Sequence, residues 1–250
     1  MKIQVVIPAR LASSRLPEKL LLRVDGRSVL QHTYEAACRA KGIAGVTVAV
    51  DDPRLAQEVD GFGGQALMTS PDWESGTDRI AEVALQMPDV DLFVNVQGDE
   101  PEIEPAAIEQ VSGLLAEHPT ADIATLATPI RNLATLEDPN CVKVVVSPNG
   151  QALYFSRAAV PHIRGGVTPV ELAAQPPLFW QHIGLYAYRR DFLLWFATQP
   201  PAMLERAEKL EQLRALAAGR SIVVGYVESV AAGIDTLADF EAFCARYESR

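Results

Sequence analysis

The chain has 250 residues, 48% of them hydrophobic, and a formal net charge of −10. That length and apolar fraction can bury a sizeable core, with room for an inserted subdomain. The acidic balance excludes a nucleic-acid binder, which needs a basic face to displace counterions, so any local cluster of cations points to a small anionic ligand. The three cysteines, Cys38, Cys141 and Cys244, show neither a disulfide-scaffold nor a zinc-site spacing and read as reduced thiols. No apolar run approaches the ~20 residues of a membrane span, and Gln4, Pro8 and Arg10 interrupt any signal-type region. A cytoplasmic chain without membrane insertion is the expectation.

In chain order, short apolar runs alternate with helical patterns, which predicts an α/β fold with a mostly parallel central sheet flanked by helices. Strands are expected at Lys2–Ile7, Val46–Val50, Ala66–Met68, Leu92–Val96, Ile123–Thr128, Val142–Val146, Ala152–Ser156, Ile183–Tyr188 and Ile222–Tyr226. Ser28–Lys41 reads as a helix closed by Gly42, and Leu204–Ala218 as one helix closed by Gly219. The last helix is expected to begin at Asp235-Thr236, with Asp239 in the capping-box position. Val142–Val146 and Ala152–Ser156, joined by Ser147-Pro148-Asn149-Gly150, look like a hairpin, and residues 161–180 break the rhythm with prolines and glycines. The chain is therefore expected to be a single domain over 1–250 carrying an inserted antiparallel subdomain over about residues 129–181.

The first strand runs into Pro8-Ala9-Arg10-Leu11-Ala12-Ser13-Ser14-Arg15-Leu16-Pro17-Glu18-Lys19, with no acidic residue before Glu18. Arginine forks onto phosphate oxygens, lysine acts as a mobile point charge, and small residues let backbone N–H groups approach the same anion. The loop lies where ligands bind in doubly wound sheets, yet no GxxxxGK[ST] is present and the first glycine is Gly26, so a P-loop is excluded.

Leu92–Val96 then delivers Gln97-Gly98-Asp99-Glu100 to a sheet edge, where Asp99 is a hard-oxygen ligand of the kind magnesium takes, or a turn residue capping an amide. Asp235 could join it, or serve as a plain helix cap; spacing leaves both open. Ser75-Gly76-Thr77-Asp78-Arg79 enters a helix and offers hydroxyls and N–H groups to a base or ribose, or merely caps. Arg157, His182, Tyr186, Glu211 and Gln212 form a mixed polar set, in which His182 also reads as a satisfied core histidine.

Together, Ile7–Lys19, Gly63-Gly64, Met68–Arg79, Val94–Pro101, Val142–Val145, Ala152–Arg157, His182–Tyr188, Leu210–Arg214 and Asp235-Thr236 closely resemble the 3-deoxy-manno-octulosonate cytidylyltransferase family over nearly the whole chain. The resemblance implies a nucleotide-diphospho-sugar transferase fold in a cytoplasmic homodimer, paired through the inserted region. It implies transfer of CMP from CTP to 3-deoxy-D-manno-octulosonate (Kdo), giving CMP-Kdo and diphosphate and supplying the acidic sugar of lipopolysaccharide. It places Arg10, Ser14, Arg15 and Lys19 on the triphosphate, Pro8, Ala9, Ser75 and Arg79 near the cytidine, and Gln97 near the reacting groups. It gives Asp99 and Asp235 to Mg2+, and Arg157, His182, Tyr186, Glu211 and Gln212 to the sugar acid. Lys19, Asp99, Asp235 and Arg10 are the catalytic candidates. Glu18 stands where that family commonly has glycine, and Trp73 where it has histidine. The same transfer onto an 8-amino-Kdo or sialic-type acid, or CTP binding without catalysis, are the alternatives.

Overall fold

A computed structural model of the chain describes residues 1–13, 15–73, 75–228 and 233–248. Ser14 and the run 229–232, which leads up to Asp235, lie outside the described residues. The chain divides into two compact units, one of residues 1–109, 188–197 and 231–250, the other of 110–187 and 198–230.

The first unit opens with β1 (Ile3–Ala9). A short hairpin of β2 (Arg23–Val24) and β3 (Arg27–Ser28) leads into α1 (Val29–Cys38), whose N-cap Ser28 accepts a hydrogen bond from Gln31 N at 3.1 Å. Then follow β4 (Gly45–Val50), α2 (Pro53–Gly61), β5 (Ala66–Met68), α3 (Gly76–Gln86) and β6 (Leu92–Asn95). The strands lie in the order β6-β1-β4-β5 and every pairing is parallel. Helices cover such a sheet on both faces, so its strands must be apolar throughout; Val5, Val6, Ile7, Val48, Ala49, Val50, Phe93 and Val94 are all fully buried.

The division between units falls within α4 (Pro105–Glu117). The second unit continues through β7 (Ile123–Pro129), α5 (Leu133–Glu137), β8 (Lys143–Val146), β9 (Ala152–Ser156), α6 (Pro169–Ala173) and β10 (Trp180–Arg189), the last two residues of which belong to the first unit. The first unit then takes α7 (Arg190–Phe196), the second takes α8 (Met203–Glu208), α9 (Gln212–Ala217) and β11 (Ile222–Tyr226), and α10 (Leu237–Glu248) closes the first. In the second unit β11 and β7 are parallel, whereas β8 and β9 form the expected antiparallel hairpin.

Two expectations need correction. The helix read over Leu204–Ala218 is two helices, because Lys209 takes a left-handed conformation (φ 55°) that ends α8. The connection over 161–180 is not wholly irregular: Thr168 and Glu171 form a reciprocal capping box that starts α6.

Candidate active site

The N-terminal loop is shaped by what its apolar residues pack against. Leu16 and Leu22 join a cluster of Val24, Val29, Ile234 and Phe243, which ties this loop to the segment leading into α10. Ile234 N donates to the carbonyl of Asp99 at 2.8 Å, so the segment running into α10 lies beside the end of β6. Thr236 and Asp239 then cap α10, with Thr236 N donating to Asp239 Oδ2 at 2.8 Å and Asp239 N to Thr236 Oγ1 at 3.3 Å. The cap is thereby made without the carboxylate of Asp235.

That carboxylate turns to the cations instead. Asp235 Oδ1 is 2.9 Å from Arg15 Nη2 and 3.0 Å from Lys19 Nζ, and the same ammonium donates to Asp99 Oδ2. Burial works to lower the Lys19 pKa, but hydrogen bonds and charge from Asp99 and Asp235 outweigh it and hold the group above its ordinary value. The two aspartates that spacing left unconnected are thus within reach of one side chain.

Around them lies a cleft of about 330 Å³ lined by Pro8, Arg10, Ala12, Ser13, Arg15, Lys19, Leu20, Gly76, Gln97, Gly98, Asp99 and Asp235. Three cations against two carboxylates leave it one net positive charge, and Arg10 has no carboxylate partner among the described residues. Gly98 is needed for close approach: a Cβ there would stand 3.3 Å from the carbonyl of Pro8 and 3.4 Å from Leu20.

The other predicted nucleotide residues sit differently. Ala9 is fully buried at the end of β1. Ser75 Oγ caps α3, accepting from Asp78 N at 3.1 Å. Arg79 is completely buried; it donates to Thr69 Oγ1, its Nη2 lies 3.6 Å from Asp51, and its Nε and Nη2 have no hydrogen-bond acceptor among the described residues. Burial lowers its pKa, with Arg10 pressing in the same direction and Asp51 opposing.

Sequence reasoning missed Asp51, whose signal was its place directly after β4 in Val50-Asp51-Asp52-Pro53. It also passed over Glu100, where burial and the neighbouring Asp99 charge push the carboxyl up to about 8. Glu18, at a position where glycine was the expectation, adopts the left-handed conformation (φ 52°) that glycine takes without strain, and its carboxylate pairs with Arg54 at 2.8 Å. Trp73 donates from Nε1 to Glu82 Oε2 at 2.5 Å.

The five predicted sugar residues all belong to the second unit. His182 is buried, with Nε2 3.0 Å from Thr125 Oγ1 and its ring edge-on to Phe155; burial lowers its pKa to about 3. The Arg157 side chain is committed to carbonyls, donating to Glu208 O at 2.8 Å and Pro139 O at 2.9 Å, while its backbone N–H donates to the Glu208 carboxylate. The Arg157 carbonyl in turn accepts from the buried ammonium of Lys143, which also donates to the carbonyls of Asp138 and Cys141. Tyr186 lies 5.2 Å from the His182 ring, and Glu211 and Gln212 form the start of α9. In α9, Arg214 donates to the Glu205 carboxylate from Nε at 2.9 Å and from Nη2 at 2.5 Å.

A sequence model of the cytidylyltransferases matches residues 4–222. The chain belongs to the cytidylyltransferase family. Among curated members, the 3-deoxy-manno-octulosonate cytidylyltransferase of Rhodopirellula baltica is 64% identical over 250 residues, covering 100% of both chains. That of Geobacter sulfurreducens is 48% identical over 96% of this cytidylyltransferase and 97% of its own length. A CMP:2-keto-3-deoxy-manno-octonic acid synthetase solved in complex with CTP superposes with a TM-score of 0.91 at 42% identity, over 100% of this chain and 99% of the other. The expected mostly parallel sheet flanked by helices is the fold this cytidylyltransferase has. Among its described residues, no helix is long and apolar enough to cross a membrane.

Proposed function

We propose that the chain transfers the cytidylyl group of CTP to 3-deoxy-D-manno-octulosonate, releasing diphosphate and activating the sugar acid for lipopolysaccharide synthesis. The observation that carries this reading is the cationic cleft around Lys19, Asp99 and Asp235, in a chain 64% identical over its full length to a protein of that name.

The chemistry is an in-line displacement. The C2 hydroxyl oxygen of the sugar acid forms a bond to the α-phosphorus, the bond from that phosphorus to the β-phosphate oxygen breaks, and the hydroxyl proton leaves to solvent. Such a transfer needs positioning and charge neutralisation more than covalent catalysis. Arg10, Arg15 and Lys19 are suited to hold the triphosphate and steady the departing diphosphate, and Gln97 lines the same cleft. Pro8 and Gly76 flank it where a nucleoside would lie.

Two carboxylates drawn to one cation are a donor set that fits magnesium, which favours one or two carboxylates together with substrate phosphates. Among the described residues no group of three acidic, histidine or cysteine ligands occurs, which is consistent with a metal shared with the nucleotide. Asp99 and Asp235 would hold magnesium, which when bound would supply charge neutralisation at the α-phosphate. Of the five residues that the resemblance gives to the sugar acid, Tyr186, Glu211 and Gln212 are the ones we propose for it; the His182 ring is buried on Thr125 and the Arg157 guanidinium is taken by backbone carbonyls. Use of CTP fits a cytoplasmic location, and residues 129–181 are the segment through which we propose a homodimer.

The test is diphosphate release with CTP, UTP and GTP, each with and without Kdo, and with sialic-type and 8-amino acids in parallel. Release confined to CTP plus Kdo is expected. Release independent of the sugar acid, or CTP binding with no release on adding any acid, would overturn the reading.

A further inference from the structure

We propose that Asp51 is a positioning residue of the nucleotide site, fixing the cationic loop and the buried Arg79 relative to each other. The inference rests on the reading that the chain binds CTP. Asp51 follows β4 directly, and its side chain is 14% exposed. Oδ1 accepts from the backbone N–H of Leu11 at 3.0 Å, in the loop between Arg10 and the cleft residues Ala12 and Ser13. Oδ2 lies 3.6 Å from Arg79 Nη2, close enough for charge attraction but too far for a hydrogen bond.

Arg79 is held in place from another side as well. It donates to Thr69 Oγ1, and Thr69 is itself bonded through Oγ1 and N to the carbonyl of Val50, at 3.0 and 2.9 Å. One carboxylate therefore links a loop that must present Arg10 to a guanidinium that keeps two N–H groups without acceptors among the described residues. A buried donor without an acceptor is unfavourable unless a ligand or water takes it. Oδ2 at 3.6 Å supplies the compensating charge for Arg79 while leaving those donors open.

The geometry separates two jobs. Pinning Leu11 needs only an acceptor oxygen, which asparagine also provides; alanine provides none. We therefore compare Asp51→Ala with Asp51→Asn by calorimetric CTP binding, steady-state KM for CTP and for the sugar acid, kcat, and Tm. Asp51→Ala is expected to raise Kd and KM for CTP about tenfold, as loss of a hydrogen bond to a charged group does, with kcat and the KM for the sugar acid within about threefold of wild type. Asp51→Asn is expected to recover most of the CTP affinity.

If Asp51→Ala binds CTP like wild type, or weakens both substrates equally as Tm falls, Asp51 has no positioning role. Should that variant not fold, hydrogen exchange in the wild-type protein decides: the Leu11 amide must exchange at least about tenfold more slowly than that of Ala12. An unprotected Leu11 amide overturns the proposal. A wild-type chain that binds no CTP at all would instead refute the functional reading on which it rests.

Discussion

Lys19 donates from its ammonium to both Asp99 and Asp235, residues 80 and 216 positions further along the chain. Lys19, together with Arg15 at 2.9 Å from Asp235, balances the charge of the two carboxylates to which we assign the metal.

Removing that ammonium is therefore expected to have opposite effects on two measurements. Lys19→Met should bind free Mg2+ or Mn2+ about tenfold more tightly, because a like charge near the carboxylates has gone. Its turnover should fall by at least about a hundredfold, since the leaving diphosphate loses a cation. Metal titration by calorimetry without nucleotide checks the first, and unchanged or weaker metal binding would count against Asp99 and Asp235 as the ligands.

Arg157 separates scaffold from ligand contact. Its guanidinium donates to carbonyls at the end of α8 and at Pro139. Loss of hydrogen bonds from a charged group at a half-buried site costs about 2 kcal/mol, or about 4–8 °C in Tm for a chain of this size. Arg157→Met is expected to show that drop by thermal melting with the KM for CTP unchanged. A normal Tm with a raised KM for the sugar acid would show instead that the guanidinium faces substrate.

His182 gives a pH signature. Burial depresses its folded pKa to about 3, below the ordinary 6.5, so the unfolded chain binds the extra proton between those values. Its contribution is present in full above pH 6.5 and is lost as pH falls toward 3, at about 1.4 kcal/mol per pH unit. Denaturation at a series of pH values should show His182→Gln with a slope shallower by about one proton over this range. Equal slopes for the two proteins would mean that the imidazole titrates normally in the fold.

Glu18 bears on loop conformation and on charge. A non-glycine residue in the left-handed region is strained by roughly 1–2 kcal/mol, while the exposed pair with Arg54 returns little. Glu18→Gly is expected to melt no lower than wild type and to lower the KM for CTP by about twofold at low salt, through loss of an acid beside the cationic loop. A Tm several degrees lower would show that the Arg54 contact outweighs the strain.

The local grammar of the chain was open to reading. Alternating apolar runs announced the parallel strands, Ser28 and Ser75 marked helix starts, and Thr236 with Asp239 announced the last cap, because each depends on neighbours within a few residues. The break at Lys209 was hidden, since lysine carries no signal for a left-handed backbone. The importance of Asp51 was hidden as well, because its partners Leu11 and Arg79 come from distant segments.

The sequence by itself determined the main strands, the cationic loop after β1 and the set of polar residues available for chemistry, through periodicity and residue type. Only the tertiary structure decided that Asp235 stands beside Asp99 rather than capping α10. That outcome depends on Ile234 burying its side chain against Val24, Val29 and Phe243 while its N–H reaches the Asp99 carbonyl. Such through-space packing between segments far apart in the chain leaves no trace in spacing, which records only what residues do to their near neighbours.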